Sequence, residues 1–170
     1  MRPIPLILAL ACLAQPAPAA DEAEALPFHL PVPEGWRTET LPFPLDFAPG
    51  LDYEGLEELR FAPGMFEPDA ADFWTYVFVW WIPETTPLDL DRLVGDLRAY
   101  YVGLTAAVGE SRDLDVSGAR HEVNLHAVRP DGITRVEYAG TASVFDPFVT
   151  AAPVDLNLQV RRTRCPDKGM

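Results

Sequence analysis

The stretch Phe73-Trp74-Thr75-Tyr76-Val77-Phe78-Val79-Trp80-Trp81-Ile82 decides the reading of this chain. Aromatic and β-branched side chains follow one another along it, the composition of an extended strand. Tyr76, Phe78, Trp80 and Ile82 point one way; Val77, Val79 and Trp81 point the other. Both sets are apolar, so the stretch is expected to be a central strand covered on both sides. Its apolar run is of strand length and falls well short of the ~20 residues that cross a bilayer.

A helix follows. Thr86-Pro87-Leu88-Asp89 opens it, with Thr86 as the expected cap, Pro87 at the first helical position and Asp89 placed to accept from exposed N–H groups. Leu90, Leu93, Val94, Leu97, Tyr100, Tyr101, Leu104 and Val108 recur at helical spacing, and Gly109 is expected to end the run. Upstream, Gly55 to Ala62 reads as a strand stopped by Pro63-Gly64. Downstream, strands are expected over 119–128, 133–145 and 154–160, with Pro130-Asp131-Gly132 as a turn. In the last two strands apolar and polar residues alternate, which places one face on the core and one in water.

The expected architecture is α+β: one long amphipathic helix packed on an antiparallel sheet of about five or six strands, in a single domain. The Gly35-Trp36 opening, then sheet, helix and sheet, resembles in outline the Mog1/PsbP-type single-domain folds. That resemblance lies in element order and implies a fold but no function. The chain divides into a leader at 1–20, an acidic and proline-rich arm at 21–50, the α+β domain at 51–165 and a tail at 166–170. Prolines at 27, 31, 33, 42, 44 and 49 limit the arm to an edge strand or an extended cover. Its Phe28, Leu30 and Trp36 suit packing on the domain better than a linker role.

Residues 1–20 read as a cleavable secretory signal peptide. Arg2 gives the positive end, Ile4 to Ala14 the apolar core, and Ala17-Pro18-Ala19 the small-residue cleavage form. Cys12 offers a lipoprotein alternative, but Ala9 stands three residues before it, where leucine is usual. Export to the periplasm or the extracellular space, as a soluble bacterial protein, is the expectation. Cleavage leaves Cys165 as the remaining cysteine, so no intramolecular disulfide is available to the mature chain. Cys165 is then an incidental tail thiol, an intermolecular bridge, or a thiol activated by Arg162 and Arg164. The net charge of −13 repels phosphate backbones, which argues against nucleic acid as a partner.

Catalytic patterns fail on inspection. His121 and His126 flank Glu122-Val123-Asn124-Leu125, one residue longer than the zincin spacing. On a helix they would stand roughly 140° apart, and on a strand they face opposite sides, so no metal site is expected. Asp52, Glu54, Glu57 and Glu58 form an acidic cluster, but adjacent Glu57 and Glu58 point to opposite faces. Glu58 shares a face with Arg60 and can pair with it; a charged strand edge that blocks aggregation is the expected role. No cofactor is expected. Gly95, Ala99, Gly103 and Ala107 form a small-residue stripe on the helix, which suits close approach of a loop or a second protomer.

The aromatic stretch remains. Trp74, Tyr76, Trp80 and Trp81 are the candidate binding residues for an apolar small molecule or a protein partner. The functional expectation is a non-catalytic module. The alternatives are a hydrolase using carboxylates or histidine, in which Glu58, His121 or His126 meet in a cleft, and a structural subunit of an envelope complex that self-associates.

Overall fold

A computed structural model describes residues 30–83, 86, 88–129 and 137–162. The expected signal peptide, the expected turn at Pro130-Asp131-Gly132, the 133–136 start of one expected strand and Cys165 lie outside the described residues. Among the described residues the fold is α+β, with one helix packed on two three-stranded antiparallel sheets. The first sheet has the order β1-β2-β3, from β1 (Arg37–Pro42), β2 (Leu56–Phe61) and β3 (Tyr76–Trp81). Helix α1 spans Leu90–Ser111. The second sheet has the order β4-β5-β6, from β4 (Glu122–Ala127), β5 (Tyr138–Asp146) and β6 (Ala152–Val160).

The single five- or six-stranded sheet expected from the sequence is therefore corrected to two sheets. Alternation tells which face of a strand is buried, but not which strand it hydrogen-bonds to. A second correction concerns the aromatic stretch. Among the described residues β3 pairs only with β2, so it is an edge strand, and β2 is the central one. β2 is buried on both faces although its sequence is LEELRF.

The helix begins later than its sequence signals suggest. Asp89 has an extended backbone and its Oδ1 accepts from Arg92 N at 2.9 Å, so Asp89 and not Thr86 is the cap. A carboxylate suits the positive helix end better than a hydroxyl does. The helix runs past Gly109 to Ser111, where Arg112 N reaches back to the Val108 carbonyl. Among the described residues no helix is long and apolar enough to cross a membrane.

α1 joins the two sheets. Leu93, Leu97 and Tyr101 are buried in one core with Val123, Ala142, Val144 and Leu156 of the second sheet. Its Tyr100 ring stacks on Phe78 of β3, 5.8 Å between centroids and 7° from parallel. The Tyr101 hydroxyl meets that of Tyr76 at 2.9 Å. Among the described residues β1 is an edge strand, and Phe43, Leu45, Ala48 and Leu51 after it are buried in the same core.

The small-residue stripe divides in two. At Gly103 a Cβ would overlap the carbonyl oxygen of Phe47, so this glycine admits the loop that follows β1. At Gly95 nothing lies within 4 Å of the Cβ position. Gly103→Ala is expected to lower stability by about 1–3 kcal/mol through overlap. Gly95→Ala is expected to raise it by up to about 1 kcal/mol through helix propensity. Thermal unfolding of the two variants checks both signs.

Candidate functional site

The site begins with the pleat of the first sheet. Paired residues across a ladder share a face, and the register aligns Leu41 with Glu57 and Trp80. The same register sets Glu39 beside Leu59 and Phe78, and Arg37 beside Phe61 and Tyr76. These nine side chains form the inner face, toward α1. The helix covers the β3 side of that face through Tyr100 and Tyr101. Over β1 it leaves a cleft of about 530 Å³.

One wall of the cleft is β1 and β2, with Leu41, Leu59 and Phe61 at its floor and Arg37, Thr38 and Glu39 at its rim. The facing wall is Tyr100, Leu104 and Val108 of α1 with Phe47 of the loop between β1 and β2. Met65, Phe66, Trp74 and Tyr76 close one end, together with Phe148 from the β5–β6 turn. The rings brace one another. Phe148 meets Phe66 edge-on at 5.4 Å and Trp74 at 5.8 Å. Phe47 meets Tyr100 edge-on at 5.1 Å.

Two backbone devices hold that end in place. Trp74 adopts a left-handed conformation, φ 54°, which costs about 1–2 kcal/mol for a non-glycine residue. Its N–H donates to the Met65 carbonyl at 3.1 Å, and its indole is buried. Phe148 is placed by Asp146, whose buried carboxylate accepts from Phe148 N at 2.8 Å, Val149 N at 3.1 Å and Thr150 N at 2.8 Å. The Thr150 hydroxyl adds a fourth bond at 2.7 Å. Burial pushes the Asp146 carboxyl up, but the bonds from Thr150, Phe148 and Val149 outweigh it and hold it below the usual range.

On the same face as the cleft floor, but outside its lining, stands Glu57, fully buried on the central strand. Its Oε1 accepts from Trp80 Nε1 at 3.0 Å, while its Oε2 has no hydrogen-bond partner among the described residues. Burial pushes its pKa up from 4.5 to about 7; Trp80 and Tyr100 pull it down, and Glu39 adds to the rise. Glu58 faces the other way. It bonds Arg60 Nη2 at 2.9 Å and Trp81 Nε1 at 3.0 Å. Burial raises it, but Arg60, Trp81 and the Leu30 N–H outweigh that and hold it low. The Leu30 N–H donates to Glu58 at 3.2 Å, and the Leu30 carbonyl accepts from Arg60 Nη2 at 2.6 Å. This outer face is thus covered, at Leu30, by the proline-rich segment.

Of the candidate binding residues, Trp74 and Tyr76 line the cleft. Trp80 shares their face but lies deeper, against Glu57, Phe43 and Tyr53. Trp81 belongs to the opposite face. The acidic cluster is corrected: Glu57 and Glu58 are 0% and 1% exposed on a central strand, not a charged edge. The pairing of Glu58 with Arg60 is present. Glu58, His121 and His126 are not brought together. Glu58 is in the first sheet, His121 is buried just before β4, and His126 is exposed on β4. Burial, and then Arg98, lower the His121 pKa. Among the described residues no three His, Cys, Asp or Glu side chains gather as a metal site.

Phe47, Leu104, Val108 and Phe148 are cleft residues that the sequence reading did not select. Leu104 and Val108 carried the helical periodicity, which marks burial without separating core from cleft. Comparison of the chain with protein-family models, with curated proteins and with solved structures finds no match.

The raised Glu57 pKa fixes a sign. The fold favours the protonated form, so below about pH 4.5 the group costs nothing. As pH rises toward 7 the folded state forgoes an ionisation that the unfolded chain enjoys, and stability falls. The full penalty is about 3 kcal/mol. His121 acts oppositely in the same range, since its lowered pKa makes stability fall as pH drops below its ordinary value of 6.5. Comparison with Glu57→Gln isolates the glutamate. The variant is expected to match the parent near pH 4.5 and exceed it by about 3 kcal/mol at pH 8. Urea unfolding at both pH values measures the difference, and a constant difference would remove the assignment.

Proposed function

We propose that this chain is an exported, non-catalytic module that holds an apolar ligand in the cleft between β1, α1 and the β2–β3 connection. The observation that carries the reading is the cleft itself, about 530 Å³ with aromatic and aliphatic walls and polar groups gathered at the β1 rim. Pre-formed, mostly apolar concavities of roughly 300–1,000 Å³ are the ordinary form of a small-molecule site. The rings that wall it are held by mutual contact, so little ordering is left for a ligand to impose. Export is proposed from the leader at residues 1–20, and a periplasmic or extracellular location follows from it.

The same face could receive an apolar side chain of a protein partner, and the cleft favours the small molecule because it is concave. The hydrolase reading has less support, because Glu58, His121 and His126 stand in separate parts of the fold. Assembly into an envelope complex draws support only from the open surface at Gly95. The outline likeness to Mog1/PsbP-type folds is retained as a proposal about element order and supplies no ligand.

Titration with Nile red, a neutral apolar dye, is expected to give saturable binding with one dye per chain. Leu104→Trp fills the cleft from the helix side and is expected to weaken binding at least ~10-fold, which is about 1.4 kcal/mol. Unchanged binding in a Leu104→Trp protein with the parental circular dichroism removes the reading.

A further inference from the structure

We propose that the ligand is a cationic amphiphile: its ammonium-type head lies against the Glu39 carboxylate at the rim, and its apolar body runs toward Phe61 and Phe66. The inference rests on the apolar-cleft reading and adds the charge of the occupant. Four observations lead to it.

First, Glu39 is an exposed carboxylate at the rim, on the same face as Leu59 in the floor. It lies close enough to Tyr100 and to Glu57 to raise the pKa of both. Second, the lining of that end, Glu39 and Leu41 of β1 with Leu59 of β2, contains no basic side chain among the described residues. Third, the ring walls already hold a cation. The Arg37 guanidinium sits 4.6 Å from the centre of the Phe66 ring, at the other end of the β1 rim. Ring faces attract cations, and a cation shielded from water gains more than one at an open surface. Fourth, the chain carries a net charge of −13, which disfavours an anionic ligand at any distance. Among the described residues Arg37 is the one basic side chain that lines the cleft, and it stands at the end away from Leu41.

The test is displacement of Nile red by three ligands with one tail: decylammonium, decanol and decanoate, each below its aggregation concentration and at ~0.15 M salt. The expected order is ammonium, alcohol, carboxylate, with the ammonium at least ~5-fold tighter than the alcohol. Glu39→Gln is expected to reduce that ratio toward one. Asp155→Asn changes the net charge equally on exposed β6 and is expected to leave the ratio as it was. Equal binding of all three ligands leaves the apolar cleft standing and overturns the charge assignment. Tightest binding of decanoate, lost in Arg37→Gln, overturns it in favour of an anion. A ratio lowered as much by Asp155→Asn as by Glu39→Gln overturns the local role of Glu39. Failure of Nile red itself to bind removes the underlying cleft reading.

Discussion

Two indole N–H groups on consecutive residues hold the first sheet together across its thickness. Trp80 donates to Glu57 on the inner face and Trp81 donates to Glu58 on the outer face, both at 3.0 Å. β2 is the central strand, with α1 over its inner face and the segment at Leu30 over its outer face, so its glutamates are taken from water whichever way they point. A buried carboxylate without donors is costly, and each indole supplies one. The two faces are then completed differently. Outside, Arg60 neutralises Glu58 in a salt bridge with both side chains almost wholly buried. Inside, no cation reaches Glu57 among the described residues, and protonation near neutral pH takes that role.

This difference organises the molecule around the cleft. The inner face must remain largely apolar to pack against α1, and the Phe78–Tyr100 stack fixes the helix over β3. A single helix of ~10 Å diameter cannot also cover β1, two strands and another ~10 Å away. The uncovered strip becomes a concavity because neighbouring segments rise around it: Phe47 on one side, and Phe66 and Phe148 at the end. Asp146 makes the last of these a fixed wall, since its four hydrogen bonds determine the path of the turn that carries Phe148.

Much of this was legible in the sequence. The helix and the strands from β2 onward were read from their patterns, whereas β1 lies in the proline-rich arm read as an edge strand or an extended cover; the outward and inward residues of β5 and β6 fall where alternation places them, with Ala142, Val144 and Leu156 inside and Asp155 and Asn157 outside. The division into two sheets was not, because pairing partners leave no local mark in a strand. Burial of Glu57 and Glu58 was misread for a related reason. A charged pair in LEELRF signals an edge unless the indoles that satisfy it are known to be next door. The cleft walls were legible only in part. Trp74 and Tyr76 stood out by composition, whereas Phe148 is brought in by a turn far along the chain and Trp74 is turned inward by a left-handed backbone that no local residue requires.

The grip on Leu30 has a mechanical consequence. Glu58 and Arg60 hold the main-chain N–H and C=O of residue 30 and not its side chain. Residue identity there is therefore of little moment, provided an N–H is present, and the prolines on either side at 27 and 31 leave that N–H in place. Tension arriving along the chain from residues before 30 is delivered to β2, the strand with a neighbour on both sides. It bypasses β1, which begins seven residues later at Arg37 and, among the described residues, has one neighbour to resist peeling. Strain from that side thus meets first a strand with a neighbour on both sides, and not an edge that can unzip one bond at a time.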